Sequence, residues 1–170
     1  QSIVLFVASA PGGNFGAGRI SAPNTPKVIS IDRSGHLWAG IPLKGLVKYG
    51  GGDEPDQTLY EHDRDDPNSL SSSWITFLLD DSAGGFWIGT GEGLNRLDRA
   101  TGNFQRFPYD PANRDGPSDN RFTSAAEGQA GELWLGTGRG LNRFDVKTGK
   151  FEHFTTKHGL PHDQVNAVAI

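Results

Sequence analysis

Gly85-Phe-Trp-Ile-Gly-Thr-Gly-Glu-Gly-Leu-Asn-Arg-Leu-Asp-Arg-Ala-Thr-Gly-Asn-Phe-Gln-Arg-Phe107 decides the fold, because nearly the same phrase returns as Glu132-Leu-Trp-Leu-Gly-Thr-Gly-Arg-Gly-Leu-Asn-Arg-Phe-Asp-Val-Lys-Thr-Gly-Lys-Phe-Glu-His-Phe154. A looser copy lies upstream, His36-Leu-Trp-Ala-Gly-Ile-Pro-Leu-Lys-Gly-Leu-Val-Lys-Tyr49. Sequence that recurs at a fixed period builds one structural unit per copy. The tryptophans Trp38, Trp87 and Trp134 stand 49 and 47 residues apart. Each has a glycine three residues before it (Gly35, Gly84, Gly131) and two after it (Gly40, Gly89, Gly136). A Gly-Leu pair follows in every copy, one residue later in the first copy than in the others.

Every copy reads as four short strands. The first is Val28–Ile31, Ile75–Leu79 or Phe122–Ala126, and the second is centred on the Trp. The third is Leu46–Tyr49, Leu94–Leu97 or Leu141–Phe144, and the fourth is Thr58–Glu61, Phe104–Phe107 or Phe151–Phe154. Asp32-x-x-Gly35 and Asp81-x-x-Gly84 are turn signals: the Asp accepts backbone N–H bonds and the Gly supplies positive φ. In the third copy Gly128 stands in the Asp place. Four antiparallel strands at this period are a propeller blade; a β-helix repeats faster, and a sandwich does not repeat its sequence. The expected fold is all-β, with β-propeller blades of four antiparallel strands, about three blades plus partial strands at both ends. Residues 1–27 are assigned to an N-terminal strand and Gly-rich connector. Residues 28–170 hold the repeats (28–62, 74–109, 121–154) and, at 164–170, the first strand of a fourth.

Composition narrows the function classes. The formal net charge is −4 with no Lys/Arg block, which argues against a nucleic-acid or anionic-membrane surface. No Cys is present, so disulfides and thiolate chemistry are absent. No apolar run approaches the ~20 residues of a membrane helix, so no membrane insertion is expected of this segment. The most apolar run, Ser2–Ala10, reads as a strand, with the tail of a secretory signal as the alternative. Pro11–Gly18 reads as a flexible connector. No stretch has a helical period, so little helix is expected. With no Met anywhere, the chain is expected to begin inside a longer precursor.

The pattern Asp-x-x-Gly-x-Leu/Phe-Trp-Ile/Leu-Gly-Thr-x-x-Gly-Leu-Asn-Arg-Phe-Asp-x-x-Thr-Gly-x-Phe resembles the two-component regulator propeller repeat. Asp66-Pro-Asn-Ser-Leu-Ser-Ser72 and His158-Gly-Leu-Pro161 are similar to that family's inter-blade segments. The likeness covers about residues 28–170, and copy 1 departs from it with Ala39-Gly-Ile41 for Ile-Gly-Thr. The resemblance implies a periplasmic or extracellular sensor region of a bacterial membrane histidine kinase, non-enzymatic, with an oligosaccharide or other small ligand. Closed propellers have typically 4–8 blades. Three blades and a strand therefore imply further blades or self-association. The alternative function is an assembly module whose incomplete blades are completed between chains through the N-terminal strand; a propeller lyase or hydrolase is a third reading.

Side chains that vary among near-identical repeats are where specificity can reside. At the turn between strands two and three these are Lys44, Glu92 and Arg139; at the entry to the first strand they are Trp74, Arg121 and Gln164. Both sets belong to the same end of the blades, around the mouth of the central channel. They are the candidate ligand-binding residues, with Trp74 beside charged and amide groups suited to a sugar. The repeated Trp38, Trp87 and Trp134 are expected to pack between blades. The runs Asp63/Asp65/Asp66 and Asp80/Asp81 match no EF-hand loop and read as turn residues. His158 and His162 flank Gly-Leu-Pro and are not on a helix. No HExxH, GxSxG or phosphate-binding glycine loop appears, so no catalytic residue, metal or cofactor is expected.

Overall fold

The computed structural model describes residues 25–50, 57–129 and 131–170, together with the backbone of two strands nearer the N-terminus. Those two are β1 (Ile3–Val7) and β2 (Gly16–Ile20), which pair antiparallel as a two-stranded sheet. The end of the stretch read as a connector, Gly16–Gly18, lies in β2.

Three four-stranded antiparallel sheets follow. Blade 1 is β3 (Val28–Ile31), β4 (Leu37–Ile41), β5 (Gly45–Tyr49) and β6 (Gln57–Tyr60). Blade 2 is β7 (Ile75–Asp80), β8 (Phe86–Thr90), β9 (Gly93–Leu97) and β10 (Phe104–Phe107). Blade 3 is β11 (Phe122–Glu127), β12 (Glu132–Thr137), β13 (Gly140–Asp145) and β14 (Lys150–Phe154). The sequence-read strands agree with these within two residues at either end. The first strands lie side by side, β7 between β3 and β11, so the blades share an axis and the ring is open. The helical content among the described residues is one 3₁₀ turn, Thr156–His158.

Blades stack through a repeated contact. Trp38 is 1% exposed, and its ring centroid lies 4.6 Å from that of Phe86 in the next blade. Trp87 is equally buried, with Phe144 of blade 3 at 5.5 Å. Around each Trp the leading blade adds Leu46 or Leu94, and the following blade adds Ile75, Ile88 and Leu97, or Phe122, Leu135 and Phe144. Strand alternation puts Leu37, Ala39, Ile41, Val47 and Tyr49 on the opposite side of blade 1, where they form a third cluster.

Polar latches fix the links between blades. Asn95 is fully buried; its side-chain oxygen accepts from the Ser71 N–H (2.9 Å), and its amide donates to Ser71 Oγ (2.8 Å). The Thr90 hydroxyl lies 2.9 Å from the same Ser71 Oγ. Asn142, Ser118 and Thr137 repeat the arrangement in blade 3. Blade 1 has Ile41 and Val47 at the Thr and Asn places, so it lacks this latch. Arg106 adds to the first link by donating to the carbonyls of Asp66, Ser69 and Leu70. The glycine that begins each third strand is sterically required: a Cβ on Gly140 would lie 2.5 Å from the Phe154 carbonyl oxygen, and its φ is +133°.

Residues 164–170, read as a fourth blade's first strand, form no strand. Val165 still occupies the expected place. Its N–H donates to the Thr137 carbonyl (3.0 Å), and its carbonyl accepts from the Thr123 hydroxyl (2.5 Å). Its side chain closes on Gly136 as Ile75 closes on Gly40.

Candidate functional site

The inner strands of blades 2 and 3 each begin with a β-bulge. Register slips between Ile75 and Phe77 on β7 and between Phe122 and Ser124 on β11. The extra residues are Thr76 and Thr123; the repeat spacing puts Lys27 at the equivalent place in blade 1. A bulge re-aims side chains, and such distortions are frequent beside functional sites. Just before each bulge, the entry residue is tied to the strand 2–3 turn. The Trp74 carbonyl accepts from the Gly91 N–H (3.2 Å), and the Arg121 carbonyl accepts from the Gly138 N–H (3.2 Å). In blade 1 the Lys27 N–H donates to the Gly40 carbonyl (2.9 Å).

These entries converge on one depression of about 400 Å³, open to solvent. Its lining takes Lys27 and Val28 from blade 1, Trp74, Ile75, Thr76 and Gly91 from blade 2, and Arg121, Phe122 and Thr123 from blade 3. Trp74 is 51% exposed, against 1% for Trp38 and Trp87. The Thr76 hydroxyl is buried without a hydrogen-bond partner among the described residues. The size is that of a small-ligand site, and the chemistry offered is an aromatic face, two cations and hydroxyls.

The six sequence candidates divide. Trp74 and Arg121 come together in the depression. Glu92 is exposed on the turn beside Gly91, and Lys44 is exposed on the corresponding turn of blade 1. Arg139 is exposed, lies over the Tyr109 ring, 5.7 Å from its centroid, and does not line the depression. Gln164 is exposed, its amide donating to Asn166 (2.9 Å). Lys27 and Thr76 were not singled out in the sequence. The repeat spacing that aligns them was available, but only the bulge shows that this position faces the depression.

No cluster of His and acidic residues suited to a metal occurs among the described residues. Asp63 and Asp66 cap their own loop by accepting the N–H groups of Asp65 and Asn68. His158 accepts the Thr155 N–H (3.1 Å) and closes the 3₁₀ turn.

At the opposite end of the blades the turn aspartates join the repeats. Asp32 accepts the N–H groups of Ser34 and His36 on one oxygen and the Trp38 indole N–H on the other (2.9 Å). Arg99 of blade 2 reaches back to Asp32 (2.5 Å) and to Asp80 (2.8 Å). Burial by itself pushes the Asp32 carboxyl up. The Trp38 indole, Arg99 and the His36 N–H outweigh it and hold the pKa down at about 2.

The fold and the axial depression define a segment of a β-propeller with its candidate binding surface at the channel mouth. No family model matches the chain, and no curated protein matches it by sequence. Among solved structures it is similar to the extracellular domain of a protein assigned as hybrid two-component system BT3049 from B. thetaiotaomicron, with 27% identity and a TM-score of 0.72 over 84% of this chain and 20% of that one. An extracellular domain assigned to hybrid two-component system BT4673 of the same organism aligns at 25% identity and TM-score 0.69, over 84% of this chain and 20% of that one. Virginiamycin B lyase from Staphylococcus aureus shares the fold at 18% identity and TM-score 0.61, over 93% of this chain and 50% of that one. The chain thus spans about a fifth of the length of the sensor domains it matches. The likeness to these extracellular sensor domains agrees with the resemblance of the repeats to the two-component propeller repeat. Among the described residues no helix is long and apolar enough to cross a membrane.

Proposed function

We propose that this chain is a non-enzymatic, ligand-sensing segment of a bacterial extracytoplasmic sensor, acting in the periplasm or at the cell exterior. The observation that carries the reading is the half-exposed Trp74 set beside Arg121 in the axial depression. The ring is mounted on a backbone hydrogen bond from Gly91 and stands clear of the core that buries Trp38 and Trp87. An aromatic face with adjacent polar groups suits a saccharide, and the similarity to extracellular sensor domains supports the same role. The lyase shares only the fold, and no acid–base pair lines the depression among the described residues.

The test is binding of a panel of neutral and acidic oligosaccharides, read by calorimetry. At least one should bind. Trp74→Ala should abolish that binding with the melting temperature little changed, because half the ring is already in water. A panel with no binder removes the sensing reading from this segment.

Blade 3 favours a second, compatible role in assembly. Its Trp134 is less buried than Trp38 or Trp87, and its ring lies tilted against Phe154 of its own blade, 5.5 Å between centroids. A further blade, or another copy of the chain, would cover that face as blades 2 and 3 cover Trp38 and Trp87. Light scattering should then show self-association that Trp134→Glu abolishes; a monomer at all concentrations argues against contact between copies.

A further inference from the structure

We infer that the ligand of the axial depression is anionic: a saccharide whose ring bears a carboxylate or a sulfate. This rests on the sensing reading above and adds the charge of what is sensed.

The chain as a whole is acidic, at −4, yet the depression is lined by two cations, Lys27 and Arg121, and by no carboxylate among the described residues. The two come from different blades, and both are exposed. Trp74 comes from the blade between them. Four cations elsewhere are engaged inside the protein. Arg99 bridges Asp32 and Asp80, Arg106 gathers loop carbonyls, Arg143 pairs with Glu152, and Lys150 pairs with Asp115. Lys27 and Arg121 make no ion pair among the described residues. Like charges gathered at one concavity raise the local potential and draw in the opposite charge.

Geometry supplies the rest of the recognition. The backbone bonds of Lys27 to Gly40 and of Arg121 to Gly138 fix both residues at the blade edge, so their side chains reach the depression from fixed points. The exposed face of Trp74 can carry the apolar face of a pyranose ring. The unpartnered Thr76 hydroxyl, buried at the depression, can satisfy a ring hydroxyl or an acidic oxygen. A buried polar group without a partner is costly, and a ligand oxygen would remove that cost.

The experiment uses four probes, glucose, glucuronate, glucose 6-sulfate and sodium sulfate, titrated into ¹⁵N-labelled protein. The Trp74 indole N–H is assigned with Trp74→Phe and followed with the Arg121 amide. Glucuronate or glucose 6-sulfate should shift both signals with an affinity at least about tenfold above glucose, a gap that about 0.5 M NaCl should largely close. Lys27→Ala/Arg121→Ala should remove the preference for the acids; both residues are exposed, and an unchanged melting temperature confirms that the variant folds. The two acidic arms tell carboxylate from sulfate recognition. Equal response to glucose overturns the charge while leaving the sensing reading in place. Sulfate alone binding as tightly as the sugars overturns the saccharide part. Failure of both acids to move either signal, or acid binding undiminished in the double variant, overturns the inference, whatever the oligosaccharide panel returns.

Discussion

Blades 2 and 3 deliver a carboxylate to the same indole from opposite ends of one turn. In blade 2, Asp81 accepts the Trp87 indole N–H at 2.7 Å, and Gly85 leaves room for it: a Cβ there would lie 2.5 Å from the carboxylate. In blade 3 the places are exchanged. Gly128 stands where Asp81 does, Glu132 stands where Gly85 does, and Glu132 accepts the Trp134 indole N–H, also at 2.7 Å. A Cβ on Gly128 would lie 2.7 Å from the Glu132 carboxylate. What persists through the repeat is therefore a contact, an acceptor for the indole, rather than a residue at a position. The exchange has a cost. Asp81 also accepts the N–H groups of Ala83 and Gly85, whereas Glu132 is drawn toward the cation Arg143.

The largest expected effect breaks the comparison at the indole itself. Trp87→Ala should destabilise by about 3–5 kcal/mol in urea denaturation, since it empties a fully buried site between two blades. Trp134→Ala, on the partly exposed face of blade 3, should cost about half as much.

The exchange itself can be tested next. Gly128→Asp alone should destabilise by about 2–3 kcal/mol, from a clash with Glu132 and an added like charge. Gly128→Asp/Glu132→Gly rebuilds the blade 2 arrangement and should recover most of the loss. A double variant as unstable as the single one would mean that the two arrangements are not equivalent.

Acid sharpens the contrast at blade 1. The folded pKa of Asp32, about 2, lies below its ordinary value of 3.8. Its contribution is fully present above pH 3.8 and is lost as the pH falls through 2. The shift corresponds to roughly 2 kcal/mol. Urea curves between pH 5 and pH 2 should show this loss in the parent and a smaller one in Asp32→Asn.

Asn95→Val installs the blade 1 residue in blade 2. It should cost about 1–2 kcal/mol, because Ser71 loses both its donor and its acceptor. At the small end, Arg143→Ala should change stability by less than about 1 kcal/mol, because its ion pair with Glu152 is half exposed.

Much of the scaffold was legible along the chain. The spacing of Trp38, Trp87 and Trp134, with the turn glycines around them, sufficed to place twelve blade strands and the inter-blade role of the first two tryptophans. The candidate site was half legible. Trp74 and Arg121 stood out because repeats that agree elsewhere disagree there. Lys27 did not, because it lies in the copy that departs most from the others and its equivalents are threonines. Glu132 was equally hidden, since its role depends on a glycine four residues away.

By itself the sequence determined the repeating unit, because strand alternation, turn glycines and capping aspartates act over a few residues and recur with the period. Tertiary structure alone decided what the units make together. It drew Lys27, Trp74 and Arg121, from three blades, to one depression and anchored Val165 between Thr123 and Thr137. Those outcomes depend on how inner strands bulge and how neighbouring blades stack, which are contacts between residues about 50 positions apart that no local pattern encodes.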